Sequence, residues 1–584
     1  VIRRYLTLLV DYLRPQRGRV IALAVLLVSG IAFQLINPQI IQRFIDGATS
    51  GADHSHLVTL VGIFIALAVA QQVFSVISTY LAETVGWMAT NALRGDLALH
   101  LLHLDMGFHK THTPGELIER IDGDITALSN FFSQFVINVL ANLVLLVGIL
   151  VLLFVKNVWI GLSISILSIT ALAGMLGIQS IAMPWWKQVR QKSAEFYGFL
   201  GEQLGGTEDV RANGGVPFVI SKFTEHMREW LPAAVRGFMG WAQLWSTNIV
   251  LFAALTSLVY WLGSHYFGTG TLTIGGVYLV FAYSELIRQP MDRIRTQMQD
   301  LQKASAALTR VESLFALESR LPYDGENHLP DGALSVWFDD VSFSYRDDAD
   351  DDAGDIVLDQ VELNLDAGRV LGVLGRTGSG KTTLARLLTR LYDPTEGTVH
   401  LGSVPLHTAG KVHLRRRVGM VTQDVQLFRA TVRDNLTFFD ARIDDAQIHR
   451  VLEELGLTEW VAGLSDGLDT MLEAGGGGLS AGEAQLLAFT RIFLRDPGLI
   501  ILDEASSRLD PATEQLIEHA VDKLMSDRTG IVIAHRLATV TRADDILILE
   551  HGRIVEYGAR VDLMADPNSR FSHFLRVGME EVLS

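Results

Sequence analysis

The chain has 584 residues, 49% of them hydrophobic, a mean hydropathy of +0.28 and a formal net charge of −17 at pH 7. Such a length exceeds what one core organises and points to two or more domains, while the acid excess argues against a nucleic-acid partner, whose phosphates call for a basic face. With no cysteine, disulfides, thiolate catalysis and cysteine-ligated metal clusters are excluded.

The first stretch, VIRRYLTLLVDYLRPQRGRV, mixes basic residues with short apolar runs and shows no small-residue cleavage site before the first long apolar segment. It reads as an amphipathic helix on a membrane surface. Residues 20–42, 57–82, 125–155 and 157–186 carry no charge, and each reaches the length of about 20 residues that a spanning helix needs. Residues 237–284 are uncharged for about twice that length and contain the turn-like GSHYFGTGTLTIGG, which makes two spans and a total of six.

Lys and Arg gather at the N-terminus (Arg3, Arg4, Arg14, Arg17, Arg19), between the second and third spans (Arg94, Lys110, Arg120), between the fourth and fifth (Lys187 to Arg228) and after the sixth (Arg288, Arg293, Arg295). The basic connections mark the cytoplasmic side. This places both termini in the cytoplasm and predicts a multi-pass protein of the cell (inner or plasma) membrane. The two long cytoplasmic connections keep helical periodicity, so the spanning helices are expected to continue beyond the bilayer, with breaks near residues 108–114 and 214–223. Within the spans stand Gln34, Gln71, Asn138, Asn142, Trp241, Gln243 and Asn248, most of which read as helix-packing groups. The expected organisation is an all-α transmembrane domain over 1–320, a polar linker over 321–335, and an α/β domain over 336–584.

In VLGVLGRTGSGKTTLARLL an apolar strand runs into a glycine loop and then a helix. Gly375, four residues, then Gly380, Lys381 and Thr382 form a phosphate-loop pattern, with Thr377, Gly378 and Ser379 inside the loop and Thr383 after it. Glycines let backbone N–H groups and the helix N-terminus face phosphates. Lys381 is placed to reach the β- and γ-phosphates and Thr382 to ligate Mg²⁺. GLIILDEASSRLD adds a buried strand that delivers Asp503 to the metal shell and Glu504 as the base polarising an attacking water. The cofactors read here are ATP and Mg²⁺. An acidic stretch, DDADDDAGD, departs from a calcium loop in the position of its glycine and reads as solvated loop.

Taken together, these motifs resemble a half-size ATP-binding cassette (ABC) transporter of the exporter type, over nearly the whole chain. The family order of glutamine, LSGGQ-like signature, acidic strand, Asp-containing loop and histidine is matched by Gln423 in VGMVTQDVQLF, by LSAGE, by ILDE, by Asp510 and by His535 in GIVIAHR. The resemblance implies that Tyr345 stacks on adenine, that Gln423 senses Mg²⁺ and the attacking water, that His535 contacts the γ-phosphate, and that Ser480, Gly482 and Asp510 complete the site of a second subunit. Ser480 and Glu483 also form an S-x-x-E capping box. Within the signature, two residues depart from the family pattern, Ala481 replacing a glycine and Glu483 a glutamine, and upstream EAGGGG departs from the family's Gly-Glu pattern, with Ala474 near the glutamate register. An intact water-activating half beside an altered signature resembles one subunit of the heterodimeric exporters, so a different second subunit is expected, with a homodimer as the alternative. The partners implied are that subunit, the lipid bilayer and a small-molecule, lipid or peptide cargo. An ATP-gated channel or receptor, and an importer built on the same fold, are the competing functions.

Overall fold

The computed structural model describes residues 10–134, 139–321, 325–345, 355–473, 475, 479–503, 511–534, 540 and 542–577. Glu504, Asp510, His535, Asn138 and most of the acidic stretch lie outside the described residues. The chain divides into two compact units, one of residues 1–102 with 114–317 and another of residues 103–113 with 318–584.

The first unit is all helical. Its elements are α1 (Arg17–Ser50) and α2 (His54–His103), then α4 (Ile125–Gln134), α5 (Ala141–Lys156), α6 (Val158–Gly205), α7 (Val216–Gly268) and α8 (Ile274–Phe315); the short α3 (Met106–Thr111) belongs to the second unit. At 1.5 Å per residue the 50 residues of α2 extend about 75 Å, far more than a hydrocarbon core of about 30 Å. The expectation that helices continue past the bilayer is met. Among the described residues, four helices are long and apolar enough to cross a membrane: Val10–Ser50, α2, α6 and α7. The other two expected spans differ in form. Of the third, the described residues form α4 and the 16-residue α5, with residues 135–138 between them outside the described residues, and the sixth is the start of α8, where Glu285 and Arg288 soon break the apolar run.

Packing within this unit follows small residues. A side chain added at Gly237 would lie 2.7 Å from Val189, and one at Gly240 3.0 Å from Ala182, so α6 and α7 approach closely there. The indole N–H of Trp186 donates to the carbonyl of Gly237 at 3.0 Å. Ile149, Leu153, Ile160, Ile164, Val259 and Tyr283 form the core between α5, α6, α7 and α8. The packing-group reading holds for two amides: Gln71 accepts from Asn37 at 3.3 Å and Asn248 donates to Asp292 at 3.3 Å. Just before α4, a π-helical turn over Glu119–Asp124 carries Asp124, which is buried. Asp124 receives Arg310 Nε of α8 at 2.9 Å, a second nitrogen of the same guanidinium, and Arg120 at 3.4 Å.

The second unit is α/β. An antiparallel sheet of order β2-β1-β4-β5 is made by β1 (Val336–Ser344), β2 (Ile356–Leu365), β4 (Glu396–Leu401) and β5 (Val404–Pro405). A second sheet, of order β10-β9-β3-β8-β7-β6, is made by β3 (Val370–Leu374), β6 (Val418–Val421), β7 (Leu499–Asp503), β8 (Thr529–Ile533), β9 (Asp545–Glu550) and β10 (Arg553–Ala559). Every residue of β3, β7 and β8 is buried, as expected of a parallel sheet covered on both faces. In register, Val373 pairs with Ile533, Ile533 with Asp503, and Leu502 with Val421. Four adjacent strands therefore end at one edge, where open α/β sheets bind ligands. Around the sheets lie α9 (Lys381–Leu388), α10 (Val432–Thr437), α11 (Asp445–Glu454), α12 (Ala481–Arg495), α13 (Pro511–Met525) and α14 (Arg570–Val577).

Candidate active site

The phosphate loop leaves β3 and opens α9. Gly375, Gly378 and Gly380 have φ of +152°, +82° and +106°, values that side-chain-bearing residues rarely adopt. A side chain at Gly375 would meet Ser379 Oγ at 2.6 Å, and one at Gly380 would meet Leu358 at 2.7 Å. Gly380 caps α9 with no side-chain hydrogen bond. Ser379 Oγ is buried and has no hydrogen-bond partner among the described residues. Thr377 and Gly378 are exposed at the tip, while Thr383, the third residue of α9, is buried.

Lys381 is 6% exposed, and its ammonium donates to the carbonyls of Gly375 at 2.6 Å and Arg376 at 3.0 Å. Burial pulls its pKa below that of an ordinary lysine, and the carboxylate of Asp503 partly offsets this. Thr382 Oγ1 stands 3.4 Å from Asp503 Oδ2, at the end of β7. A loop with a buried unpartnered hydroxyl, a cation folded back on its own carbonyls and an uncapped helix N-terminus fits a polyphosphate. The hydroxyl and carboxylate of Thr382 and Asp503 are the hard oxygen donors that suit magnesium.

The structure thus gathers Lys381, Thr382, Ser379 and Asp503, and it adds Tyr345, whose hydroxyl is 3.0 Å from Thr383 Oγ1 and receives Arg386 at 3.1 Å. Gln423 is exposed, two residues beyond the end of β6 and therefore at the same sheet edge. Ser480 and Gly482 sit at the start of α12. The capping box is present: Ser480 Oγ accepts from the N–H of Glu483 at 3.2 Å, and Glu483 Oε2 accepts from the N–H of Ser480 at 2.7 Å. Glu483 Oε1 also accepts from the indole of Trp460 at 2.8 Å.

Sequence reasoning missed Arg491 of α12. Its guanidinium donates to the carbonyls of Asn435 at 2.6 Å and Gln426 at 3.0 Å and to Asn435 Oδ1 at 3.0 Å, and burial pushes its pKa down to about 10. It ties the loop after Gln423 to the signature helix. The available signal was an arginine interrupting the apolar run LLAFTRIFL. Beside it, Phe438 and Phe439 hold φ of +55° and +64°, a strained pair for bulky side chains.

Residues 20–291 match the ABC transporter transmembrane region, and residues 358–507 match the ABC transporter family. The chain is 30% identical over 567 residues to the uncharacterized ABC transporter ATP-binding protein YknV of Bacillus subtilis, covering 95% of this chain and 92% of that protein. It belongs to the ABC transporters. Other relatives are a multidrug efflux ATP-binding/permease protein of Mycobacterium tuberculosis, 31% identical over 84% of this chain and 40% of that protein, and an ATP-dependent lipid A-core flippase of Idiomarina loihiensis, 28% identical over 96% of each. The solved structure of a bacterial Atm1-family ABC exporter with ATP bound shares the fold, with a TM-score of 0.77 at 24% identity over 96% of this chain and 98% of that one. The chain is a multi-pass ATP-driven transporter of the exporter type, a transport-coupled ATPase with a cytoplasmic nucleotide-binding domain. ABC exporters act as dimers in a membrane, and these relatives favour pumping over the gated-channel alternative.

Proposed function

We propose that this chain is one subunit of a heterodimeric exporter that carries amphiphilic, lipid-like or drug-like molecules out of the cytoplasm. The transmembrane domain is assigned to residues 1–320, the linker to 321–335 and the nucleotide-binding domain to 336–584. Catalysis is assigned to the chain's own cradle. Ser379, Thr377, Gly378 and the N–H groups opening α9 hold the phosphates, Lys381 neutralises the β- and γ-oxygens, and Tyr345 receives the base. Glu504 takes the proton of the attacking water, Gln423 orients that water, and His535 contacts the γ-phosphate. Thr382, Gln423 and Asp503 would hold Mg²⁺, which when bound offsets phosphate charge. Ser480, Gly482 and Asp510 are assigned to the partner subunit's nucleotide.

The observation that carries the catalytic reading is the buried Ser379 hydroxyl, without a partner among the described residues, beside Lys381 at the edge where β3 and β7 end. The heterodimer reading rests on Ala481 and Glu483. The cargo reading rests on uncharged spans and on the printed names of the efflux and flippase relatives.

The test is steady-state Mg-ATP hydrolysis by the chain alone in lipid nanodiscs, with Glu504→Gln as blank and particle mass measured in parallel. The expected result is turnover near the blank, restored by a second subunit with an intact signature. Robust turnover from a particle containing two copies of this chain would overturn the heterodimer reading and leave the catalytic one standing.

A further inference from the structure

Tyr345, one residue beyond β1, cannot easily turn. Its ring makes near-perpendicular contacts with Phe343 and Tyr392, centroids 4.8 and 5.2 Å away, and its hydroxyl is engaged with Thr383 and Arg386 of α9. One face of the ring is already taken. The ammonium of Lys110 lies over it, 5.0 Å from the centroid. Lys110 belongs to α3, on the connection between the second and third spans, and α3 lies in the same compact unit as Tyr345. Both side chains, with Gly107, Tyr392 and Asp393, wall one cavity of about 300 Å³.

We propose that Lys110 covers the face of Tyr345 that the adenine takes, so that a bound nucleotide displaces the ammonium. The inference rests on the reading of Tyr345 as the base platform. Non-bonded carbons approach to about 3.5 Å, so a base between ring and cation needs a separation of about 7 Å. The separation present is 5.0 Å. No base fits between ring and ammonium at that spacing, so the two ligands exclude each other on one face.

The consequence reaches past the nucleotide. Asp105, which caps α3, accepts from the N–H of Phe108 at 3.2 Å and from the N–H of Arg320 at 2.8 Å. Arg320 lies shortly after α8. Lys110 thus stands on a helix fastened to the segment that follows α8. Because the contact is with the ring, Lys110 answers to the base and not to the phosphates.

The experiment uses the full chain in nanodiscs on a Glu504→Gln background. Calorimetry measures Kd for Mg-ATP and for tripolyphosphate, which carries the phosphate chain without a base. Lys110→Met is expected to tighten ATP about threefold to tenfold, the weight of one cation–π contact, and to leave tripolyphosphate unchanged. In a Tyr345→Leu chain, which itself binds ATP more weakly, Lys110→Met should have no effect. An ATP Kd that is unchanged or weakened by Lys110→Met, or a tripolyphosphate Kd that moves in step, overturns the proposal. If Tyr345→Leu leaves ATP binding as it was, the platform reading fails first. Should Lys110→Met lose tripolyphosphate binding through misfolding, Lys110→Gln carries the same two-ligand comparison.

Discussion

Two helices in the nucleotide-binding domain begin after glycine-rich loops, and they use their N-termini in opposite ways. At the start of α9 the capping residue is Gly380, no side chain closes the turn, and the buried Ser379 hydroxyl has no partner among the described residues. At the start of α12 the cap is closed twice over: Ser480 and Glu483 bond each other's backbone, and the second oxygen of Glu483 holds the indole of Trp460. The first end is left open for a ligand, and the second satisfies itself. A carboxylate suits this second role because both oxygens accept, whereas a glutamine offers a single acceptor to two N–H donors. Glu483 is therefore a structural fit to its surroundings as well as a departure from the family pattern. What distinguishes a working cradle from a capped helix is the destination of its N–H groups, which glycine content alone does not reveal.

Lys381→Met breaks the open end outright, and hydrolysis in nanodiscs, measured with a complementing subunit present, should fall about 10²–10³-fold, the loss typical of removing one preorganised electrostatic contact. The same ammonium gives the open end a pH signature. Its folded pKa is below that of a free lysine, so the charge is lost earlier as pH rises. ATP affinity should then weaken on the alkaline side, through that depressed pKa and below 10.5, and the Lys381→Met chain should show a flat profile in the same titration.

The double change Ala481→Gly with Glu483→Gln tests whether the closed end is what prevents self-partnering. Turnover of the chain alone should rise several-fold above the parent, since a methyl and a like charge near phosphate are both removed. An unaltered rate would mean the asymmetry has another source. The smallest expected effect is that of Glu483→Ala, which opens the capping box and should cost about 1 kcal/mol. That corresponds to a lowering of about 2–4 °C in the unfolding midpoint of a domain this size, read by scanning calorimetry.

Much of this site was legible from the chain because its chemistry is local. Gly375 to Thr382 are consecutive, the strand that delivers Asp503 is a run of apolar residues, and the S-x-x-E spacing of Ser480 and Glu483 encodes its own hydrogen bonds. Arg491 and Lys110 were not legible in that way. Arg491 reaches Gln426, and Lys110 meets Tyr345, only through the tertiary fold, and a cation in a helix reads as surface until its neighbours are known. The sixth span was blurred for a related reason. Uncharged length identifies a membrane segment, but it does not show how near the apolar run α8 carries its charges.

Asp124 ties the turn before α4 to α8. The residue is 4% exposed, and its carboxylate is gripped by Arg310 of α8 and by Arg120 one turn back. One turn along α8 from Arg310, in either direction, stand Ala306 and Leu314, neither of which carries a charge. A slip of about 5.4 Å between the two helices would thus leave a buried anion with half its counter-charge, an expensive state. The joint behaves as a welded strut: whatever bending accompanies transport has its hinges elsewhere, and force entering at one helix leaves through the other without slack.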